Sequence, residues 1–125
     1  MKRIIFTDKA PKAVGPYSQA VEMNGMLYIA GQVPLDPQTM TVVEGGIKEQ
    51  TLQVMKNIGA ILESAGYEYS DVVKTTCLLS SMNDFKDMNE VYARFYPENP
   101  AARATYAVKE LPLGVLIEIE TIAIR

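Results

Sequence analysis

Histidine is absent from this chain, and cysteine occurs once, at Cys77. The first absence excludes the most, because imidazole is the usual proton-transfer group near neutral pH and the commonest metal ligand. Serine-histidine hydrolysis and histidine-ligated zinc are both ruled out. A lone cysteine cannot close an intramolecular disulfide and is too few for a cysteine-based zinc site, which fits a reducing compartment. Long apolar runs are missing as well: nothing approaches the roughly 20 residues of a membrane span. Met1-Lys2-Arg3-Ile4-Ile5-Phe6 has too short an apolar stretch for a signal peptide. A cytoplasmic protein with no membrane partner is expected. Basic runs are lacking too. Twelve Lys and Arg against fifteen Asp and Glu leave a net charge of -3, without the positive footprint of a nucleic-acid binder, so no nucleic-acid partner is expected.

What is present is enough apolar material, 48% of 125 residues, to bury the core of one domain spanning residues 1–125. The clearest local signal is Asn24-Gly25 between Ala20–Met23 and Met26–Ala30. Asn-Gly accepts the positive φ angles of a type I′ turn, which predicts a β-hairpin. After a loop rich in Pro, Asp and Gly, apolar residues recur at Ile47, Val54, Met55, Ile58, Ile61, Leu62 and Ala65, one face of a helix that Gly66 should end. Asp71 to Ser80, rich in Val and Thr and apolar on both faces, suits an interior strand. Ser81-Met82-Asn83-Asp84 resembles a capping box before a second helix, with Phe85, Met88, Val91, Tyr92 and Phe95 on one face until Pro97. Ala102 to Val108 and Val115 to Ile124 read as strands separated by the turn-forming Leu111-Pro112-Leu113-Gly114.

The order is therefore ββαβαββ, with a weak extra strand at Arg3 to Phe6. Right-handed crossovers put both helices on one side, giving an α+β two-layer sandwich. The other face of the sheet is left without helices although its strands carry apolar residues on both sides. Self-association through that open face is the simplest physical answer.

A few residues stand out chemically. Glu118 and Glu120 lie on the same side of the last strand, between Leu116 and Ile122. They read either as charges at the sheet's rim or as a site where one carboxyl sits in an apolar cleft with a raised pKa, suited to proton transfer. Arg103, among small residues in Pro100-Ala101-Ala102-Arg103-Ala104-Thr105, offers a planar fork of donors for a carboxylate. An ordinary salt bridge, perhaps with Glu118 itself, explains it equally well. Tyr17, in the loop entering the hairpin, could wall a pocket beside Gly31 in the loop leaving it; turn punctuation and partly buried packing are the structural alternatives. Cys77 reads as a small core hydrophobe.

Taken together and in order, Gly15-Pro16-Tyr17-Ser18-Gln19-Ala20, Ala30-Gly31-Gln32-Val33-Pro34, Glu49-Gln50-Thr51, Val73-Lys74-Thr75-Thr76, Met82-Asn83-Asp84-Phe85, Asn89-Glu90-Val91-Tyr92, Pro100-Ala101-Ala102-Arg103 and Ile117-Glu118-Ile119-Glu120 resemble the RidA/YjgF family of reactive intermediate deaminases. The resemblance covers nearly the whole chain. It implies a chorismate-mutase-like fold assembled as a homotrimer, with active sites in clefts between subunits. It also implies hydrolysis of 2-enamino and 2-imino acids, such as 2-aminoacrylate and 2-iminobutanoate, to 2-oxo acids and ammonia, without cofactor or metal. By the same resemblance Arg103 clamps the substrate carboxylate and Glu118 activates water and shuttles protons. Tyr17 lines the pocket, Gly31 offers a backbone N–H to the ligand, Asn89 lies near the cleft, and Glu120 is structural. Thr105 stands where many members carry cysteine and Ala30 where many carry serine, which bears on substrate preference. A non-catalytic trimeric sensor of small 2-oxo acids is the main competing reading, and an RNA-acting or chaperone-like protein ranks last.

Overall fold

The computed structural model describes residues Met1–Arg125. The elements follow the expected order: β1 (Arg3–Ile5), β2 (Ala20–Met23), β3 (Met26–Gln32), α1 (Ile47–Ala65), β4 (Val72–Leu79), α2 (Phe85–Tyr92), β5 (Ala102–Ala107) and β6 (Ile117–Ile124). Asn24 (φ 54°) and Gly25 (φ 77°) make the hairpin turn between β2 and β3. In α1 the predicted stripe is the buried one, with Val54, Met55, Ile58, Ile61 and Leu62 at most 1% exposed. Burying each side chain contributes roughly 1.5–3 kcal/mol. The helix starts where the Glu49 carboxylate accepts the Gly46 N–H at 2.8 Å and ends at Gly66, left-handed at φ 85°.

The six strands form one mixed sheet in the order β1-β2-β3-β6-β4-β5. Every pairing is antiparallel except β4 with β5, the two strands joined across α2, since a parallel neighbour needs a crossover. Along β6 the buried residues are Ile117, Ile119, Thr121 and Ala123, with Glu118, Glu120, Ile122 and Ile124 on the more open face. Both helices cover the first set, and the second faces away from them, as the pattern predicts. Tyr28 and Ile124 remain 44% and 45% exposed, and Tyr106 is exposed on the edge strand β5. No helix is long and apolar enough to cross a membrane.

Three boundaries are tighter than the sequence suggests. The capping segment Met82–Asp84 and the tail Ala93–Phe95 are 3-10 turns flanking an eight-residue α2, with Ser81 Oγ accepting the Asn83 N–H at 3.1 Å. Strand β6 begins at Ile117 rather than Val115, because the Leu116 N–H donates to Gln50 Oε1 of α1 at 2.8 Å instead of joining the ladder. The turn before it places Leu113 at φ 59°, ψ 15°.

Candidate active site

Because Ile117 and Ile119 turn into the core, Glu118 must turn outward. Opposite it, β3 carries an irregularity: Ile29 pairs with Thr121 and Gln32 with Ile119, so Ala30 and Gly31 together face Glu120 alone. This is a β-bulge, which re-aims the strand at that point. The carboxyl group of Glu118 lies against Gly31 so closely that a Cβ at position 31 would collide with Glu118 Oε2. Gly31 thus leaves the Glu118 carboxyl its place against the bulge, a role distinct from the backbone donor that the resemblance implies for it.

Glu118 and Gly31 open into a cavity of about 530 Å3 whose other walls include Tyr17, Val14, Lys12 and Leu113. Glu118 has neither an ion-pair partner nor a hydrogen bond within the chain. Partial burial pushes its pKa up from the ordinary carboxylate value, and the nearby charge of Glu120 adds to the rise. The wall bearing Tyr17 is a loop held from beneath by Gln19, which is 3% exposed. Gln19 Oε1 accepts the Thr7 N–H at 2.8 Å, and its Nε2 donates to the carbonyls of Thr7 (2.9 Å), Ala10 (3.3 Å) and Pro11 (2.9 Å). The Tyr17 hydroxyl in turn accepts the Val14 N–H at 3.3 Å.

Arg103 occupies a different place. It pairs with Thr75 across the parallel β4–β5 ladder, and Thr75 pairs with Thr121. Both threonines are buried against the helices. Arg103 therefore projects to the helix side at the sheet edge, while Glu118, three residues from Thr121, projects to the opposite face. The salt bridge between them, one of the two readings the sequence leaves open, is not formed, and Arg103 pairs with no carboxylate of the chain. Its guanidinium instead lies 4.8 Å from the Tyr92 ring centroid and 5.6 Å from that of Phe85, two cation–π contacts that hold its plane while leaving its N–H donors free. Thr75 Oγ1 and the Tyr92 hydroxyl lie 2.7 Å apart and fix the ring beneath.

A depression of about 430 Å3 surrounds Arg103, lined by Asn89, Tyr92, Tyr96, Pro100 and Ala101 among others. Asn89 Oδ1 and the Tyr96 hydroxyl are buried here without a hydrogen-bond partner, and burial pushes the Tyr96 pKa up. Thr105 Oγ1 is likewise buried and unpartnered, but Thr105 lines neither hollow and pairs instead with Cys77 of β4. Burial pushes the Cys77 thiol up to about 11, against the opposing pull of Arg103, Thr105 and Thr75. At neutral pH it is a protonated, inert thiol.

The six residues singled out from the sequence thus fall into two halves: Tyr17, Gly31 and Glu118 in one, Arg103 and Asn89 in the other, with Thr105 behind the second. Gln19, Lys12, Leu113 and Tyr96 escaped notice. Gln19 sits within a motif that the sequence does mark, but its bonds are to backbone carbonyls, which carry no sequence signature.

Residues 7–125 match the family described as endoribonuclease L-PSP. A RutC family protein of Pyrococcus horikoshii is 55% identical over 100% of this chain and 99% of its own. The human 2-iminobutanoate/2-iminopropanoate deaminase is 48% identical over 100% of this chain and 91% of its own. Among solved structures, a protein of the conserved Rid family from Yersinia pestis superposes with a TM-score of 0.97 at 44% identity, each chain covered completely.

Proposed function

The chain belongs to the RidA/YjgF family, the one described as endoribonuclease L-PSP, and from that premise we propose that it hydrolyses reactive 2-imino and 2-enamino acids to 2-oxo acids and ammonia at sites completed by two copies of the chain. The observation that carries this reading is the division of the candidate residues. Within one copy, an unpaired arginine and an unpaired carboxyl of raised proton affinity sit on opposite faces of one sheet. Neither half alone holds both groups that the reaction needs. A homotrimer, in which the open face of each sheet meets a neighbour, brings the Glu118 half of one copy to the Arg103 half of the next.

In that arrangement the guanidinium of Arg103, held flat by Tyr92 and Phe85, takes the substrate carboxylate through paired N–H donors, with Asn89 at its side. Tyr17 encloses the remainder. Glu118, protonated more readily than an ordinary carboxyl, donates its proton to the imine nitrogen, and the iminium formed is the better electrophile. Water adds to the iminium carbon and gives its proton to the Glu118 carboxylate. That proton then passes to the amine of the carbinolamine, the carbon–nitrogen bond breaks, and transfer of the hydroxyl proton back to the Glu118 carboxylate leaves the 2-oxo acid and ammonia. One water is consumed and Glu118 is regenerated. No step calls for a cofactor or metal.

The test is complementation. 2-Iminobutanoate generated in situ by an amino-acid dehydratase is offered to wild type, to Arg103→Ala, to Glu118→Ala, and to the two variants unfolded together and refolded as a mixture. Each variant alone is expected to be inactive, and the mixture to recover a fraction of wild-type activity. A wild type no faster than Arg103→Ala would sink the deaminase reading, and an inactive mixture would sink the shared site.

The alternative, a non-catalytic trimeric sensor of small 2-oxo acids in the cytoplasm, draws on the unpartnered Tyr96 hydroxyl in the hollow beside Arg103. With the guanidinium, that donor could hold a carboxylate without Glu118. Calorimetric binding of 2-oxobutanoate with no turnover of the imine would favour it.

A further inference from the structure

Leu113 sits where no feature of its own chain explains it. It adopts the left-handed conformation at φ 59°, ψ 15°, which glycine takes freely and a branched side chain resists. A glycine follows it directly, yet it is Gly114 that comes second, also at positive φ (66°). Nor does Leu113 repay that conformation by packing, since 70% of it is exposed. Its side chain instead helps line the cavity that holds Glu118. The same cavity is lined by Val14, 74% exposed, and Tyr17, 52% exposed, on the loop that Gln19 pins. Three exposed side chains from two separate loops thus line one cavity, together with the more buried Pro11, Val33 and Leu35.

The polar groups of the cavity leave little for a ligand besides Glu118. The Gln19 amide is spent on its own loop, the Gln32 amide donates to the Ala30 carbonyl at 3.1 Å, and Lys12 is exposed at the rim. The cavity, about 530 Å3 in one copy, thus presents walls that are mostly apolar to whatever lies beside Glu118.

Resting on the proposed deaminase reading, we propose that Leu113 and Val14 determine side-chain selectivity, so that the site prefers 2-imino acids with an extended apolar side chain, such as the imines of leucine or phenylalanine, to those with an ethyl group or less. The ligand's apolar chain would lie between the two lips, and its imine carbon beside Glu118. An apolar pocket discriminates by about 10- to 200-fold for each methylene it recognises.

The imines are generated in situ from leucine, phenylalanine and 2-aminobutyrate by an L-amino-acid oxidase, and kcat/KM is measured for each. Wild type is expected to favour the leucine-derived over the 2-aminobutyrate-derived imine by about tenfold or more. Leu113→Gly, which suits the left-handed backbone and so should fold, and Val14→Ala are each expected to shrink that ratio at least about threefold, mainly through KM. A wild type that turns over the small imine as well as or better than the large one overturns the selectivity while leaving the deaminase reading standing. A wild type inert towards every imine removes both. A Leu113→Gly protein whose sedimentation mass drops relative to wild type shows that the residue is a subunit contact, and that too overturns the proposal.

Discussion

The two halves of the candidate site are made by opposite means. Around Arg103 the chain is rigid and aromatic: a cation rests on the faces of Tyr92 and Phe85 at the edge of the sheet, with Thr75 holding one ring from below. Around Glu118 the chain is bulged and looped, and the acid is set by what is removed: water by burial, and a side chain at Gly31. A positive charge is placed by adding contacts, and a carboxyl of raised proton affinity by clearing space. The contrast teaches that perturbing the first half should act mainly on ligand affinity, and perturbing the second on turnover and its pH dependence.

The largest expected effect tests that division directly. Glu118→Gln should lower kcat by about 10²–10⁴, the usual contribution of a positioned acid or base, with KM changed far less. The same variant carries a stability signature. Because burial raises the Glu118 pKa above its ordinary 4.5, between pH 4.5 and the raised value the folded chain holds a proton that the unfolded chain has released. Stability from this site is then fully present below pH 4.5 and lost as pH rises through the raised value. Glu118→Gln should therefore be more stable than wild type at pH 7, and urea titrations should show the advantage disappearing below pH 4.5. An advantage equal at both pH values would mean that the carboxyl is not desolvated.

Next in size is Gly31→Ala, which puts a methyl group where Glu118 Oε2 lies. The carboxyl is the mobile end of its side chain and can swing into the cavity, so chemical denaturation should show little change while kcat falls as the acid is displaced. A stability loss of about 1–3 kcal/mol is expected for Gln19→Leu, which leaves the carbonyls of Thr7, Ala10 and Pro11 without their donor. If its damage reached the Arg103 half, the independence of the two regions would be broken. The smallest effect is Phe85→Leu, which removes the more distant of the two rings under Arg103. A loss of about 0.5–1 kcal/mol should appear as a two- to fivefold rise in KM with kcat retained.

The fold is largely legible in the sequence. The Asn24-Gly25 turn, the apolar stripe of α1 with its terminal Gly66, and the alternation of β6 are all local patterns whose periods the backbone obeys. The chemistry was legible only as a list. Tyr17, Gly31, Asn89, Arg103 and Glu118 stood out, but their division between two faces depends on the register that sets Arg103 against Thr75 and Thr75 against Thr121. Strand pairings between residues so far apart in the chain have no local signature. The same holds for the bulge at Ala30-Gly31, which is visible only against its partner strand. Leu113 was hidden for another reason: Leu-Pro-Leu-Gly reads as a turn whose glycine should take the left-handed position alone, and here the leucine shares it.

The contact between Gly31 and Glu118 also bears on how such a chain can change over generations. Two positions distant in sequence occupy what is effectively one volume. While a glutamate extends from position 118, any side chain at position 31 pushes its carboxyl away from the bulge. The two sites should therefore drift as a pair: a relative with alanine or serine in place of Gly31 would carry a shorter residue at 118 or hold its carboxyl in another position.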